Sequence, residues 1–157
     1  MFSECRSISD IKVLENWNVS NGNDFSYMFI GCSFLLDIKS LKNLNVSKGN
    51  NFQDMFCGCE SLADIKQLQN WKISNGNNFQ GMFDGCKSLS NKKPLQKWNI
   101  SNGNNFKEIF YGCKSLSDIK QLQNWNVSNG IFSNYVRWMF IIIRYKTIRK
   151  FECIKWK

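Results

Sequence analysis

Residues 55–81 read MFCGCESLADIKQLQNWKISNGNNFQG, and residues 82–108 read MFDGCKSLSNKKPLQKWNISNGNNFKE. The second stretch repeats the first without insertion or deletion, and the register extends both ways. Cys5, Cys32, Cys59, Cys86 and Cys113 stand 27 residues apart. So do Phe2, Phe29, Phe56, Phe83 and Phe110, and so do Trp17, Leu44, Trp71, Trp98 and Trp125. Gly22, Gly49, Gly76, Gly103 and Gly130 keep the same step. A period of this length marks a solenoid with one coil per repeat, because a lone repeat cannot bury its apolar side. With strand neighbours about 4.8 Å apart, five coils rise roughly 24 Å. Residues 1–130 are therefore expected to be a five-coil solenoid. Met1 shares its phase with Met28, Met55 and Met82, so the array reads as a fragment of a longer one.

One coil divides into segments. Phe79, Met82, Phe83 and Cys86 fall at i, i+3, i+4 and i+7, which predicts a short helix over Asn77–Cys86 capped by Asn77 or Asn78. Leu62 to Leu68 predicts a short strand near Asp64–Lys66, with a second extended piece over Trp71–Ser74. Asn75-Gly76 is a turn signal, with glycine expected to supply a positive φ. The Trp, Phe and Met rows read as core stripes. The Asn and Ser rows read as hydrogen-bonding ladders that satisfy backbone groups at the turns.

The pattern MF-x-GC-x-SL followed by NWNVSN and the next MF resembles the BspA-type leucine-rich repeat of surface proteins, also known from mycoplasmal surface lipoproteins. The likeness covers residues 1–130 and recurs five times. It implies an α/β fold: a right-handed leucine-rich-repeat-like solenoid with one short strand and one short helix per 27-residue coil. It also implies display at the cell surface or outside the cell, with adhesion or protein binding as the function. No signal peptide precedes Met1 in the sequence as it stands.

Several features invite chemistry and have plainer explanations. The five cysteines at one phase read as a buried free-thiol ladder. Cys57-Gly58-Cys59 is a C-x-C without a second pair, weak grounds for a metal. Asn18, Asn45, Asn99 and Asn126 begin N-x-S sequons whose Asn and Ser phases repeat for structural reasons. Asp10, Asp37, Asp64 and Asp118 each have a lysine two residues on and read as a solvated face. Asn91-Lys92-Lys93-Pro94 departs from that segment and is read as a weak point in the stack. The sequence has no histidine, and no phosphate loop, nucleophile elbow or acid/base pair appears. The expectation is a non-enzymatic module with no cofactor and no metal.

Charge separates the chain into two parts. Of the net +9, residues 1–130 carry +3 and residues 131–157 carry +6. The tail, IFSNYVRWMFIIIRYKTIRKFECIKWK, reads either as a basic amphipathic segment for acidic membrane or nucleic acid, or as a sixth repeat in the wrong frame. The codons of Trp138-Met139-Phe140, read one base later, spell Gly-Cys whatever the synonymous choices. Trp156-Lys157 likewise yields Gly. The shifted Cys and Gly lie 17 codons apart, the spacing of Cys113 and Gly130. A permissible back-translation from Tyr135 gives MFDGCSSLSDIKPLENLNVSNG, as expected from a loss of two bases (or a gain of one) near Gly130.

The first functional reading is a repeat module for protein-protein interaction or surface adhesion, with a protein partner and no direct role for nucleic acid. Membrane contact would come only through the tail. The alternatives are tail-mediated electrostatic binding and a truncated gene product without activity. The frameshift predicts that codons from Tyr135 onward spell a repeat one base later. Sequencing the gene checks this, and codons that spell no repeat in that frame contradict it.

Overall fold

The computed structural model describes residues 2–116, Leu122, Trp125 and residues 131–132. Equivalent residues of successive repeats lie side by side in parallel. Asp24 bridges to Asn51, Asn51 to Asn78 and Asn78 to Asn105. A second line of bridges joins Asp10 to Asp37 and Asp64 to Asn91. The final pairing departs from the period. The short strand Asn105–Phe106 pairs in parallel with Ile131–Phe132, matching Asn105 to Ile131 and Phe106 to Phe132. That register is one residue shorter than the Asn78–Asn105 step. The rest of the tail lies outside the described residues, as does Asp118.

The coils are joined by a one-directional row of backbone hydrogen bonds. The N–H groups of Phe52, Asp54, Phe56 and Gly58 donate to the carbonyls of Asn78, Gln80, Met82 and Asp84. The same four bonds recur from residues 25–31 to residues 51–57, and from residues 79–85 to residues 105–111, all between 2.7 and 3.0 Å. The intervening amides of Met55, Cys57 and Cys59 turn back to carbonyls three residues earlier.

The helix expected over Asn77–Cys86 does not form. Gly81 and Gly85 have φ of +57° and +67°. The equivalent Asp54 and Gly58 have φ of +51° and +72°, and Tyr27 and Gly31 have φ of +57° and +72°. Two left-handed residues four apart cannot be accommodated in a right-handed helix. They break it into consecutive turns, and the i, i+3, i+4, i+7 residues still face inward. The parallel pairing sits at Asn78, where the helix cap was expected.

Helical winding appears elsewhere, as short 3₁₀ turns over Lys12–Leu14, Lys39–Asn43, Lys66–Asn70 and Lys93–Lys97. Each follows a side-chain turn in which Asp10, Asp37, Asp64 or Asn91 accepts the backbone N–H two residues on, at 2.7–3.2 Å. The strand expected near Asp64–Lys66 is thus one bridge at Asp64 followed by a 3₁₀ turn. The turn over Lys66–Asn70 buries Leu68 and ends at Trp71, whose backbone is extended (φ −64°, ψ 127°). In the fourth repeat Asn91 preserves the turn chemistry of aspartate. Pro94 fits the start of the 3₁₀ turn, where its missing N–H costs nothing. Lys92 takes the isoleucine position and is 5% exposed.

Stacking supplies the core. Phe25, Phe52, Phe79 and Phe106 form one row of stacked rings with centroids 5.3–5.5 Å apart. Phe2, Phe29, Phe56, Phe83 and Phe110 form a second row at 5.4–5.8 Å. Aromatic contacts of this kind add to the burial of area itself.

The glycines of the Asn-Gly turns act differently from expectation. Gly22, Gly49, Gly76 and Gly103 are not among the residues with positive φ. Each lies under the ring of the phenylalanine three residues on. A Cβ would stand 2.8 Å from Phe25 Cζ at Gly22 and 2.5 Å from Phe52 Cζ at Gly49, and closer still to the rings at Gly76 and Gly103. Glycine is required by close approach, not by backbone conformation. Gly76→Ala is therefore expected to destabilise the chain by about 1–3 kcal/mol, the usual cost of overpacking. A urea titration checks this, and an unchanged midpoint contradicts it.

Candidate interaction surface

The residues singled out from the sequence fall into rows inside the stack. Cys32, Cys59, Cys86 and Cys113 are buried, and Cys5 is half-buried. The four buried thiols donate to the carbonyls of Phe2, Phe29, Phe56 and Phe83, at 3.0–3.2 Å. Burial pushes the Cys113 thiol up to about 12, the Cys59 thiol higher still, and the Cys86 thiol well above its ordinary value. Thiols held this far from ionisation are poor nucleophiles and poor metal ligands. Cys57 is half-buried, raised to about 11 by burial and by the nearby charges of Asp84 and Asp54. The two sulfurs of the C-x-C therefore occupy different environments. Among the described residues no group of three His, Cys, Asp or Glu side chains could hold a metal ion.

Trp71, Trp98 and Trp125 each donate an indole N–H to the carbonyls of Leu41, Leu68 and Leu95, at 2.8–3.0 Å. Leu44 fills the same slot in its coil, 5% exposed, without a donor. Trp17 is partly exposed. The sequon asparagines serve turns: Asn18, Asn45 and Asn99 accept the N–H of Ser20, Ser47 and Ser101 at 3.1 Å. Asn126 lies outside the described residues. Further asparagines tie turns across coils. Asn75 and Asn102 donate to the carbonyls of Ser47 and Ser74 at 2.8 and 2.7 Å.

Outside this frame, the exposed positions change from coil to coil. Phe34 and Leu36 are each 63% exposed. The matching positions of other coils carry Ser7, Ser61 and Ser88, and Ser9, Ala63 and Ser90. Tyr111 is also exposed, at a position held elsewhere by Cys57 and Asp84. Tyr27 accepts a hydrogen bond from Gln53 Nε2 at 2.5 Å, and Asn78 Nδ2 donates to Gln53 Oε1 at 3.1 Å.

Asp54, Asp84 and Glu108 lie close enough together for their charges to act on one another. Burial, with the charge of Glu108, raises the Asp54 carboxyl; burial, Glu108 and Asp54 raise that of Asp84. The room for Asp54 comes from Gly81, since a Cβ there would collide with Asp54 Oδ1. Elsewhere the variable charges pair between coils, as in the 2.6 Å contact of Lys87 with Glu60.

The left-handed residues within each coil were not recognised from the sequence. The Gly-Cys dipeptide at residues 31–32, 58–59, 85–86 and 112–113 was the available signal, since a glycine fixed inside a helical pattern points to a positive φ.

The family described as "Mycoplasma protein of unknown function, DUF285" matches residues 1–125. The chain belongs to this family. No curated protein and no solved structure matches it. Family membership agrees with the mycoplasma-type repeat read from the sequence and assigns no activity.

Proposed function

We propose that residues 1–130 are a BspA-type, right-handed leucine-rich-repeat-like solenoid that acts as a non-enzymatic binding module for a protein partner at a cell surface. One observation carries this reading. The buried positions are nearly uniform between coils, while the exposed ones are not. Phe34, Leu36 and Tyr111 stand out to solvent where neighbouring coils have small or polar residues. Exposed apolar and aromatic side chains on a rigid frame are the usual anchors of protein interfaces. A uniform frame with variable exposed side chains suits recognition better than catalysis, which needs one unique constellation.

The tail is assigned no part in binding. The shortened register at Ile131 supports a loss of bases near Gly130, which would leave residues 131–157 without a selected role.

Binding of the labelled protein to intact host cells, measured by flow cytometry, tests the proposal. Saturable binding that protease treatment of the cells abolishes is expected. Replacing Phe34 and Leu36 with serine, the residue of neighbouring coils, should weaken it about tenfold or more, the scale of an interface anchor. Removing residues 131–157 should leave it intact. Binding that survives the serine substitutions, or that vanishes with the tail, contradicts the reading.

A further inference from the structure

A groove crosses the coils where the Asn-Gly turns stack. It is lined by Asn23, Lys48, Asn50, Asn75, Asn77 and Asn102, and so spans four successive coils. With coils about 4.8 Å apart, that is a length of about 14 Å. Every lining residue is polar and exposed. They come from two phases of the repeat, the residue before each turn glycine and the residue after it.

The backbone fixes how these amides are turned. Asn75 and Asn102 each give one N–H to a carbonyl of the preceding coil, that of Ser47 or Ser74, at 2.8 and 2.7 Å. Asn50 and Asn77 each give one to a carbonyl of the following coil, that of Asn75 or Asn102, at 3.2 Å. A carbonyl only accepts, so the nitrogen of each side chain must face the backbone. Among the described residues the side-chain oxygens of these four asparagines take no hydrogen bond. A carboxamide has two N–H groups and one oxygen, so each side chain keeps one donor and one acceptor free, side by side. Held in place already, these side chains lose little rotamer freedom when a ligand binds.

Lys48 breaks the row. Asn21, Asn75 and Asn102 hold its phase in the neighbouring coils. Lys48 Nζ donates to Asn21 Oδ1 at 2.8 Å, which sets the ammonium at the first-coil end of the groove. It is the one charged side chain in the lining. No carboxylate among the described residues pairs with it.

This composition selects among ligands. The lining has no aromatic or aliphatic side chain to seat a peptide anchor or to stack on a nucleobase. One cation does not match a polyanion, whose binding rests on several. Paired donors and acceptors at a regular step suit sugar hydroxyls, each of which donates through its O–H and accepts through its oxygen. We propose that the groove binds a short acidic oligosaccharide, with its carboxylate at Lys48 and its neutral sugars along the amides of Asn50, Asn75, Asn77 and Asn102. The charged contact at one end sets the direction in which the sugar lies. The site is separate from the protein-binding surface, since neither Phe34 nor Leu36 lines it.

Titration of the isotope-labelled full chain with sialyllactose, followed through its asparagine side-chain amide signals by NMR, tests this. The signals of Asn50, Asn75, Asn77 and Asn102 should shift saturably with a Kd on the order of 1 mM. Lactose, which lacks the carboxylate, should bind several-fold more weakly. Lys48→Asn installs the residue of the neighbouring coils and should remove that preference. Asn75→Lys with Asn102→Lys uses the residue that this phase already carries at Lys48. It takes away two amides and adds two positive charges, so sialyllactose should bind about tenfold more weakly. Attraction to charge alone would instead make it bind more tightly. Phe34→Ser with Leu36→Ser should leave sugar binding unchanged, which keeps this result distinct from the cell-binding one. Unmoved signals at about 20 mM sialyllactose, equal affinity for lactose, or tighter binding by the double lysine variant overturns the proposal.

Discussion

The alternate backbone N–H groups of Phe52, Asp54, Phe56 and Gly58, all aimed at the next coil, are the constraint from which the rest of the structure follows. Alternate amides of an extended chain point one way in any case; here the chain also turns left-handed at Asp54 and Gly58, and the intervening amides bond back to carbonyls three residues earlier. A helix would have turned these groups along its own axis, and a regular strand would have sent alternate amides to both neighbours. The coil does neither. Over residues 52–59 its amides bond forward to the next repeat and back to carbonyls three residues away, which leaves this stretch tightly wound yet bound to its neighbour.

The side-chain rows follow from that arrangement. Rings at one phase are brought within 5.3–5.8 Å of one another and stack. The thiol row donates to the carbonyls of the phenylalanines, and the indole row to those of the leucines. Buried polar groups left unpaired are costly, so these donors specify the stack as well as fill it. Close stacking also sets the composition of the turns. Phe79 occupies the space a side chain at Gly76 would need, and Asp54 occupies that of Gly81.

The sequence disclosed the period and the buried Phe, Met, Cys and Trp rows, because burial in a stack repeats at fixed phase and spacing alone reveals it; the Leu, Ile and Val rows, such as Leu62, Leu68 and Ile73, are buried as well and were not singled out. It misled on local conformation. Phe79, Met82, Phe83 and Cys86 have the spacing of a helical face, and paired left-handed turns bring the same residues inward. Tyr27 and Glu108 are not residues that announce a positive φ, so Gly81, the Gly-Cys dipeptides and, more weakly, Asp54 carried the signal. Asn75-Gly76 was legible as a turn, but its glycine answers to a ring contact three residues away. The variable surface was harder to see. Phe34 and Leu36 look like core residues in isolation, and only their register against serines shows that they face solvent.

The uniform interior and the changing exterior divide the described residues into a frame and a variable surface, and both rest on the forward-pointing amides. Amide hydrogen exchange, resolved residue by residue by NMR, tests that claim most directly. The account predicts slow exchange at Phe52, Asp54, Phe56 and Gly58 and at Phe79, Gly81, Phe83 and Gly85. Gln53 and Gln80 should exchange fast, since their N–H groups bond only to the side chains of Asn51 and Asn78. Contiguous protection with helical chemical shifts across residues 77–86 would contradict it.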